Sequence, residues 1–264
     1  MRICCVPFRR GGYWTPARGN GLPSLPLPRR CAHWRGNPCL RKQGAASPTP
    51  IPDNTDTKKD MEVNEKQKRV LREISALLLS EPTETERLLL RPFRKTDLSE
   101  LYEYLSQKEQ QRLAGNPPVD SLDDAREVLD WILDPSRPSH SLAIVLRAEN
   151  KVIGNLALGK CPFLEDDEKL CALRGVALSY VLNERYWRKG YMTELLRAVY
   201  PILFEKGRLD YIQSGYFAFN IASAALQNKL GMRHWTDGVF ECDGQRIETV
   251  EMILFRDDFI HSQQ

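Results

Sequence analysis

The chain has 264 residues, 42% hydrophobic and 28% charged, with a formal net charge of +3 at pH 7. That length suits one well-buried domain with extensions, and no apolar run approaches the roughly 18 residues that a membrane-spanning helix needs, so no membrane partner is expected. The charge is uneven: residues 1–52 hold eight Arg and one Lys with no Asp or Glu, which leaves the remainder mildly acidic and gives no reason to expect a nucleic-acid partner.

Four of the seven cysteines fall within the first 39 residues, and Cys161, Cys171 and Cys242 are scattered. None shows paired Cys-x2-Cys zinc spacing, so reduced thiols, no metal and a cytoplasmic setting are expected. Residues 1–60 are rich in Pro, Gly and Arg without a hydrophobic period, and are expected to be disordered. This segment reads either as an organellar transit peptide or as an extension ahead of a natural start at Met61.

Residues 61–82 form an N-terminal helical segment. Glu62–Ser80 is amphipathic, with Val63, Val70, Leu71, Ile74, Leu77 and Leu78 toward one side. The main domain then runs over 83–264. Its first strand is Glu86–Phe93, stopped near Pro92. Helices follow at Asp97–Gln107 and Ser121–Asp134, the second with Ser121 and Asp124 at capping-box spacing, and Asn116-Pro-Pro118 turns between them. Leu142–Arg147 and Val152–Leu158 flank Glu149-Asn150-Lys151, a hairpin signal. The acidic run Glu165-Asp-Asp-Glu168 lies in the next connection.

Leu170–Leu182 reads as a long central strand, and Gly175 inside it suggests a bulge or a close backbone approach. Asn183 and Glu184 end it with turn chemistry. A basic, aromatic loop, Tyr186-Trp-Arg-Lys-Gly-Tyr191, then opens a helix whose apolar face is Leu195, Leu196, Val199, Ile202 and Leu203. A glycine-bearing loop on a helix N-terminus presents free backbone N–H groups and the positive end of the helix dipole, which suits an anion. Pro201 falls inside that helix and should cost about 3 kcal/mol or kink it. Tyr211–Tyr216 is a fifth strand. The stretch Asn220–Met232 reads as a short helix with Asn220 at its N-cap and Gly231 just past its end. Arg233–Trp235 is a sixth strand, and Glu248–Phe255 an edge strand.

Three blocks carry a family resemblance: Ser179-Tyr-Val-Leu182, Tyr186-Trp-Arg-Lys-Gly-Tyr-Met-Thr-Glu194, and Asn220-Ile-Ala-Ser223 with Asn228-Lys-Leu-Gly-Met232. Together they resemble the GNAT superfamily of N-acetyltransferases, in the branch of the ribosomal-protein N-terminal acetyltransferases, over about residues 84 to 256. The resemblance implies an α/β (α+β) fold with a central, mixed, mostly antiparallel sheet and a splayed central strand flanked by helices. It implies acetyl-CoA as cosubstrate and a primary amine as acceptor, either a small-molecule amine or a peptide N-terminus. The enzyme would work as a monomer or homodimer, by direct attack in a ternary complex. A non-catalytic acyl-CoA-binding or sensor module is the alternative.

By that resemblance the strand segment Ser179, Tyr180, Val181 and Leu182 pairs with the pantetheine arm, and the loop Arg188, Lys189, Gly190, Tyr191 and Met192 cradles the pyrophosphate. Trp187, Arg188 and Met192 depart from the superfamily's smaller pattern. Asn220 touches the pantetheine or only caps its helix. Ser223 protonates the departing thiolate or only bonds backbone. Many relatives carry a Tyr seven residues after this Asn, but Gln227 stands there, so a tyrosine acid is not expected from that helix. A carboxylate sometimes found on the central strand is Ala177 here, which leaves the base open among Glu184, Glu194, the acidic run and ordered water. Glu194 suits a structural place near the helix N-terminus, and the acidic run is a candidate attractor of a basic acceptor. Acceptor specificity is expected to lie in the two helices after the first strand and their loop.

Overall fold

The computed structural model describes residues 54–80, 82–115, 119–137, 141–161, 167–242 and 245–262. The reading of residues 1–60 therefore falls almost wholly outside the described residues, as do the Asn116–Pro118 turn and the first half of the acidic run.

Helix α1 (Asn54–Ser80) starts earlier than its amphipathic pattern required. Strands β1 (Thr83–Glu84) and β2 (Leu88–Pro92) follow, then helices α2 (Leu98–Leu105), α3 (Lys108–Ala114) and α4 (Leu122–Leu133). Hairpin β3 (Ser141–Leu146) and β4 (Lys151–Gly159) turns through Asn150 at φ 48°. The short α5 (Glu168–Ala172) precedes β5 (Gly175–Leu182), α6 (Tyr191–Pro201), β6 (Tyr211–Phe217) and α7 (Ile221–Lys229). The chain closes with β7 (Arg233–Cys242), β8 (Gln245–Phe255) and α8 (Arg256–Ser262). One eight-stranded sheet runs in the order β1-β2-β3-β4-β5-β6-β8-β7. Every described pairing is antiparallel except β5 with β6.

The period-2 alternation of the strands sorts two cores onto the two faces. Leu142 and Ile144 join Leu71, Ile74, Leu156, Leu178, Leu195 and Leu196 under α1 and α6. Their neighbours Ala143 and Val145 join Leu101, Tyr104, Val128 and Ile132 under α2 and α4. The N-terminal helix is thus part of the main core, with Ile74 and Leu78 each about 1% exposed. Helix α4 carries the expected reciprocal cap: Asp124 N donates to Ser121 Oγ at 3.1 Å, and Ser121 N donates to Asp124 Oδ2 at 3.0 Å.

Several expectations are corrected. The central strand does not begin at Leu170: Asp167 Oδ1 accepts from Lys169 N and Leu170 N, which starts a helical turn, and strand geometry begins only where Gly175 pairs with Tyr211. Asp167 and Glu168 thus serve a helix N-terminus. Helix α3 was not foreseen, because the segment lacks an apolar period and is held by tertiary bonds. The seventh strand is longer than the sequence suggested, and β8 is not the edge. It lies between β6 and β7 because the β7–β8 hairpin folds back along β6. Pro201 does not break its helix. Directly after it the coil widens to π geometry over Ile202–Lys206, with Gly207 N donating to Ile202 O at 2.9 Å.

Gly175 is a close-approach position. A Cβ there would stand 2.1 Å from Cζ of the buried Tyr211 ring. Gly175→Ala is therefore expected to destabilise the protein by about 1–3 kcal/mol through overpacking, read as a fall in the thermal or urea midpoint. An unchanged midpoint would show that the ring moves freely.

Candidate active site

The site is built where two strands part. Strands β5 and β6 pair only at Gly175–Tyr211, Val176–Ile212 and Ala177–Gln213. Beyond that point β5 stays with β4 as far as Leu182, and β6 stays with β8 as far as Phe217. Each diverging strand keeps one hydrogen-bonded neighbour and opens its other edge. Burial along β5 changes at the same place, from buried through Leu178 to half-buried from Ser179 onward. The wedge between Ser179–Leu182 and Ser214–Phe217 opens into a cavity of about 570 Å³, also walled by α3, the N-terminus of α6 and α7.

The loop at the mouth of the cavity is braced from several sides. Arg188 and Gly190 adopt φ 59° and 79°, in the left-handed region. The first α6 bond runs from Glu194 N to Gly190 O at 3.0 Å, so the N–H groups of Tyr191, Met192 and Thr193 precede the helical ladder. Glu194 is structural, as its position suggested. It accepts from Thr85 Oγ1 at 2.5 Å, Arg87 N at 3.0 Å and Arg87 Nε at 2.6 Å. Partial burial pushes its carboxyl up, but the Thr85 and Arg87 bonds outweigh that and hold it below the usual range. Arg87 also donates to Lys189 O at 3.1 Å and lies 4.5 Å from the Tyr191 ring centroid. Lys189 Nζ sits 5.2 Å from the Tyr186 ring centroid. The Trp187 indole donates to Leu182 O at 2.6 Å, which satisfies the last carbonyl of the splayed strand. Met192 is 8% exposed and packs with the core while also lining the cavity.

Asn220 is an N-cap: its Oδ1 accepts from Ser223 N at 3.0 Å, while Nδ2 donates to Leu113 O at 3.3 Å and ties α7 to α3. Ser223 is not merely bonding backbone. Its Oγ lies 2.9 Å from the Tyr180 hydroxyl, and Gln227 Nε2 donates to Tyr180 Oη, Ser223 Oγ and Ser214 Oγ at 3.1–3.2 Å. A tyrosine hydroxyl absent from α7 is thus delivered from β5 to the same cluster. Burial raises the Tyr180 phenol above its ordinary range, so it is a neutral donor at neutral pH.

Among the base candidates, Glu184 accepts from Gln110 N at 3.1 Å and serves α3. The structure adds a carboxylate that the sequence did not mark. Glu251 on β8 lines the cavity, is 9% exposed and sits opposite Gly215. Burial raises its carboxyl to about 7, opposed by a hydrogen bond with Thr249. The loop between the two helices after the first strand, expected as a wall, does line the cavity, but as helix α3, through Glu109, Gln110 and Arg112. Among the described residues no group of His, Cys, Asp and Glu could hold a metal, and no helix is long and apolar enough to cross a membrane.

Residues 87–233 match the sequence model of the acetyltransferase (GNAT) domain. The chain belongs to the GNAT acetyltransferase family, and is an acetyl-CoA-dependent acetyltransferase. No curated protein matches the chain at a significant level. Solved structures share the fold of this GNAT acetyltransferase at low identity. A GNAT-family acetyltransferase from Bacillus anthracis is 20% identical with a TM-score of 0.56, over 67% of this chain and 99% of the other. Spermidine N-acetyltransferase from Vibrio cholerae, solved with CoA and spermine, is 15% identical with a TM-score of 0.54, over 67% and 99%. Ribosomal-protein-S5-alanine acetyltransferase from Vibrio fischeri is 17% identical with a TM-score of 0.52, over 68% and 98%.

The buried carboxylate has a measurable consequence for this GNAT acetyltransferase. Because the folded-state pKa of Glu251 is raised, its contribution to stability is full below the unfolded value and is lost as pH rises through about 7. Glu251→Gln should therefore be more stable than the parent by about 2–3 kcal/mol at pH 8, and the difference should vanish near pH 4. Thermal melts of both proteins across that range test this; a pH-independent difference would mean that Glu251 is not held protonated by burial.

Proposed function

We propose that this acetyltransferase moves the acetyl group of acetyl-CoA to a primary amine, on a peptide N-terminus or a small molecule, by direct attack in a ternary complex. The observation that carries the reading is the wedge between β5 and β6, which opens at Ser179 directly beside the N-terminus of α6. Two features fit the cosubstrate. A Cβ at Gly190 would meet only the Arg87 guanidinium, at 3.6 Å, so the space over the loop is open. The backbone edge of Ser179–Leu182 facing β6 has no strand partner. Fold neighbours named for spermidine and for a ribosomal-protein alanine act on amines and support the acceptor class.

Acetyl-CoA supplies an acetyl group activated as a thioester. The pyrophosphate is assigned to the N–H groups that follow Gly190, with Arg188 and Lys189 beside them. The pantetheine arm is assigned to the open edge of Ser179–Leu182, with Leu182 O already taken by Trp187, and to the remaining amide N–H of Asn220. Ser223 Oγ gives a proton toward the departing sulfur and is refilled from the Tyr180 hydroxyl at 2.9 Å. The thiolate is itself a fair leaving group, with a pKa near 8.5 by analogy with Cys, so this donor assists the reaction rather than enabling it. A cytoplasmic setting fits reduced Cys161 and Cys171.

Two measurements on the full chain test this reading. A panel of amines and peptides with a free-thiol readout should show turnover of at least one; CoA binding without any turnover would favour a sensor module. Gly190→Asp puts a carboxylate where phosphate should lie and a side chain at φ 79°. Calorimetry should show CoA affinity reduced more than about tenfold, or 1.4 kcal/mol, with stability changed by no more than about 1–3 kcal/mol. Unchanged affinity would move the pyrophosphate elsewhere.

A further inference from the structure

Two carboxylates line the cavity among the described residues, Glu109 and Glu251. Glu109 is paired with Arg112 through bonds of 2.8 and 2.7 Å. Among the described residues no cation pairs with Glu251, and the Thr249 side chain is the group that opposes the effect of its burial. A buried carboxylate without a counter-charge is costly to keep, and nothing in the packing of the sheet requires one at this position.

Register shows where it points. Ala177, Gln213 and Ile253 are paired across β5, β6 and β8 and share one face. Ser179, Gly215 and Glu251 lie two residues farther along their strands, so they occupy that face too, at the level where β5 and β6 have parted. A Cβ on Gly215 would stand 2.5 and 2.6 Å from the two Glu251 oxygens. The carboxylate therefore lies over Gly215, leaning from β8 toward the wedge, in space left by the missing side chain. The next β6 residues back and forward, Ser214 and Tyr216, face the other way, and Ser214 bonds the Gln227–Tyr180–Ser223 cluster. The wedge thus has a hydroxyl donor group on one face of the sheet and a lone carboxylate on the other.

Resting on the amine-acetylation reading above, we propose that Glu251 is the catalytic base that deprotonates the acceptor ammonium. The carboxylate takes one proton from R–NH3+, leaving R–NH2 and a neutral carboxylic acid that later releases the proton to solvent. The amine lone pair forms the N–C bond to the acetyl carbon, the C–S bond breaks, and its electron pair stays on sulfur. The second proton leaves nitrogen to solvent as the amide forms, and solvent returns one proton to Tyr180, which has passed its own through Ser223 to sulfur.

Burial supports the role by keeping the carboxyl near the pH at which a base must both exist and accept a proton. Few other groups act on it. On α3, Glu109 and Arg112 neutralise one another. The phenols of Tyr180 and Tyr216 hang from the opposite face, and Tyr186, Arg188 and Tyr191 lie around the loop. Asn155 on β4, Ser179 on β5, Gly215 on β6 and Thr236, its partner on β7, bring no titratable group.

The test uses the full chain with an acceptor found by the thiol screen, and compares Glu251→Gln, Glu251→Asp and Gly215→Ala with the parent. CoA affinity of Glu251→Gln by calorimetry should stay within about twofold, while kcat falls at least about 100-fold. Glu251→Asp should recover part of that loss. Gly215→Ala, which displaces the carboxylate without removing it, should lose activity as well. The parent's kcat/KM should rise with pH through an inflection near 7 that stays fixed when acceptors of different amine pKa are used, and Glu251→Gln should lack it. Amine turnover by Glu251→Gln at the parental rate and with the parental pH profile would overturn the base assignment and leave the acetyltransfer reading intact. A parent protein that binds acetyl-CoA but acetylates no amine would overturn both.

Discussion

The active site depends on a ladder that stops. Three residue pairs join β5 to β6, and then the strands diverge although both continue. Divergence is tolerable because each strand has a second neighbour that satisfies its other edge, β4 for β5 and β8 for β6. The exposed inner edges would be costly if sealed in an apolar interior; here they face a cavity. Gly175 packed on the Tyr211 ring fixes the first rung of that ladder, and Ala177–Gln213 is the last before the strands part. Asn220, bonded to both α7 and α3, holds the far side of the opening apart.

A second constraint fixes the loop relative to that wedge. Arg87, from the segment leading into β2, is shared among the Glu194 carboxylate, the Lys189 carbonyl and the Tyr191 ring. Such a multivalent contact orders a loop that would otherwise pay the full entropy of a free backbone. It also explains why two residues can keep left-handed geometry there, one of them an arginine. The basic charges of Arg188 and Lys189 stay outside this network and remain available to a ligand. Met192 joins the core while lining the cavity beside the loop.

The polar groups that line the wedge are divided between the two faces of the sheet, and the proposed proton steps follow that division. Because side chains alternate, adjacent β6 positions serve opposite sides: Ser214 belongs to the hydroxyl cluster under α7, and Gly215 makes room for the Glu251 carboxylate. The tyrosine missing from α7 is replaced by Tyr180 from the central strand, with Gln227 in the vacated place donating to three hydroxyls. The carboxylate missing at Ala177 has its counterpart two strands away on the same face.

The features that the sequence determined by itself are local ones. The Ser121–Asp124 cap, the Asn220 cap with Gly231 at φ 80° behind it, the hairpin at Asn150, and the loop from Tyr186 to Tyr191 entering α6 all follow from residues a few positions apart. Those signals, with three blocks of family resemblance, placed the fold and the cosubstrate. What escaped was decided by pairing between distant segments. Leu170–Ala172 has strand-like residues but coils because Asp167 caps it. Helix α3 forms because Glu184 and Gln107 bond it to the turn after β5. Glu251 looks like an ordinary polar residue alternating in a strand, and Gly215 like an ordinary small one. Only the β6–β8 register sets them against each other. Burial and charge are properties of that register, and a register between strands far apart in the chain leaves no mark on either strand alone.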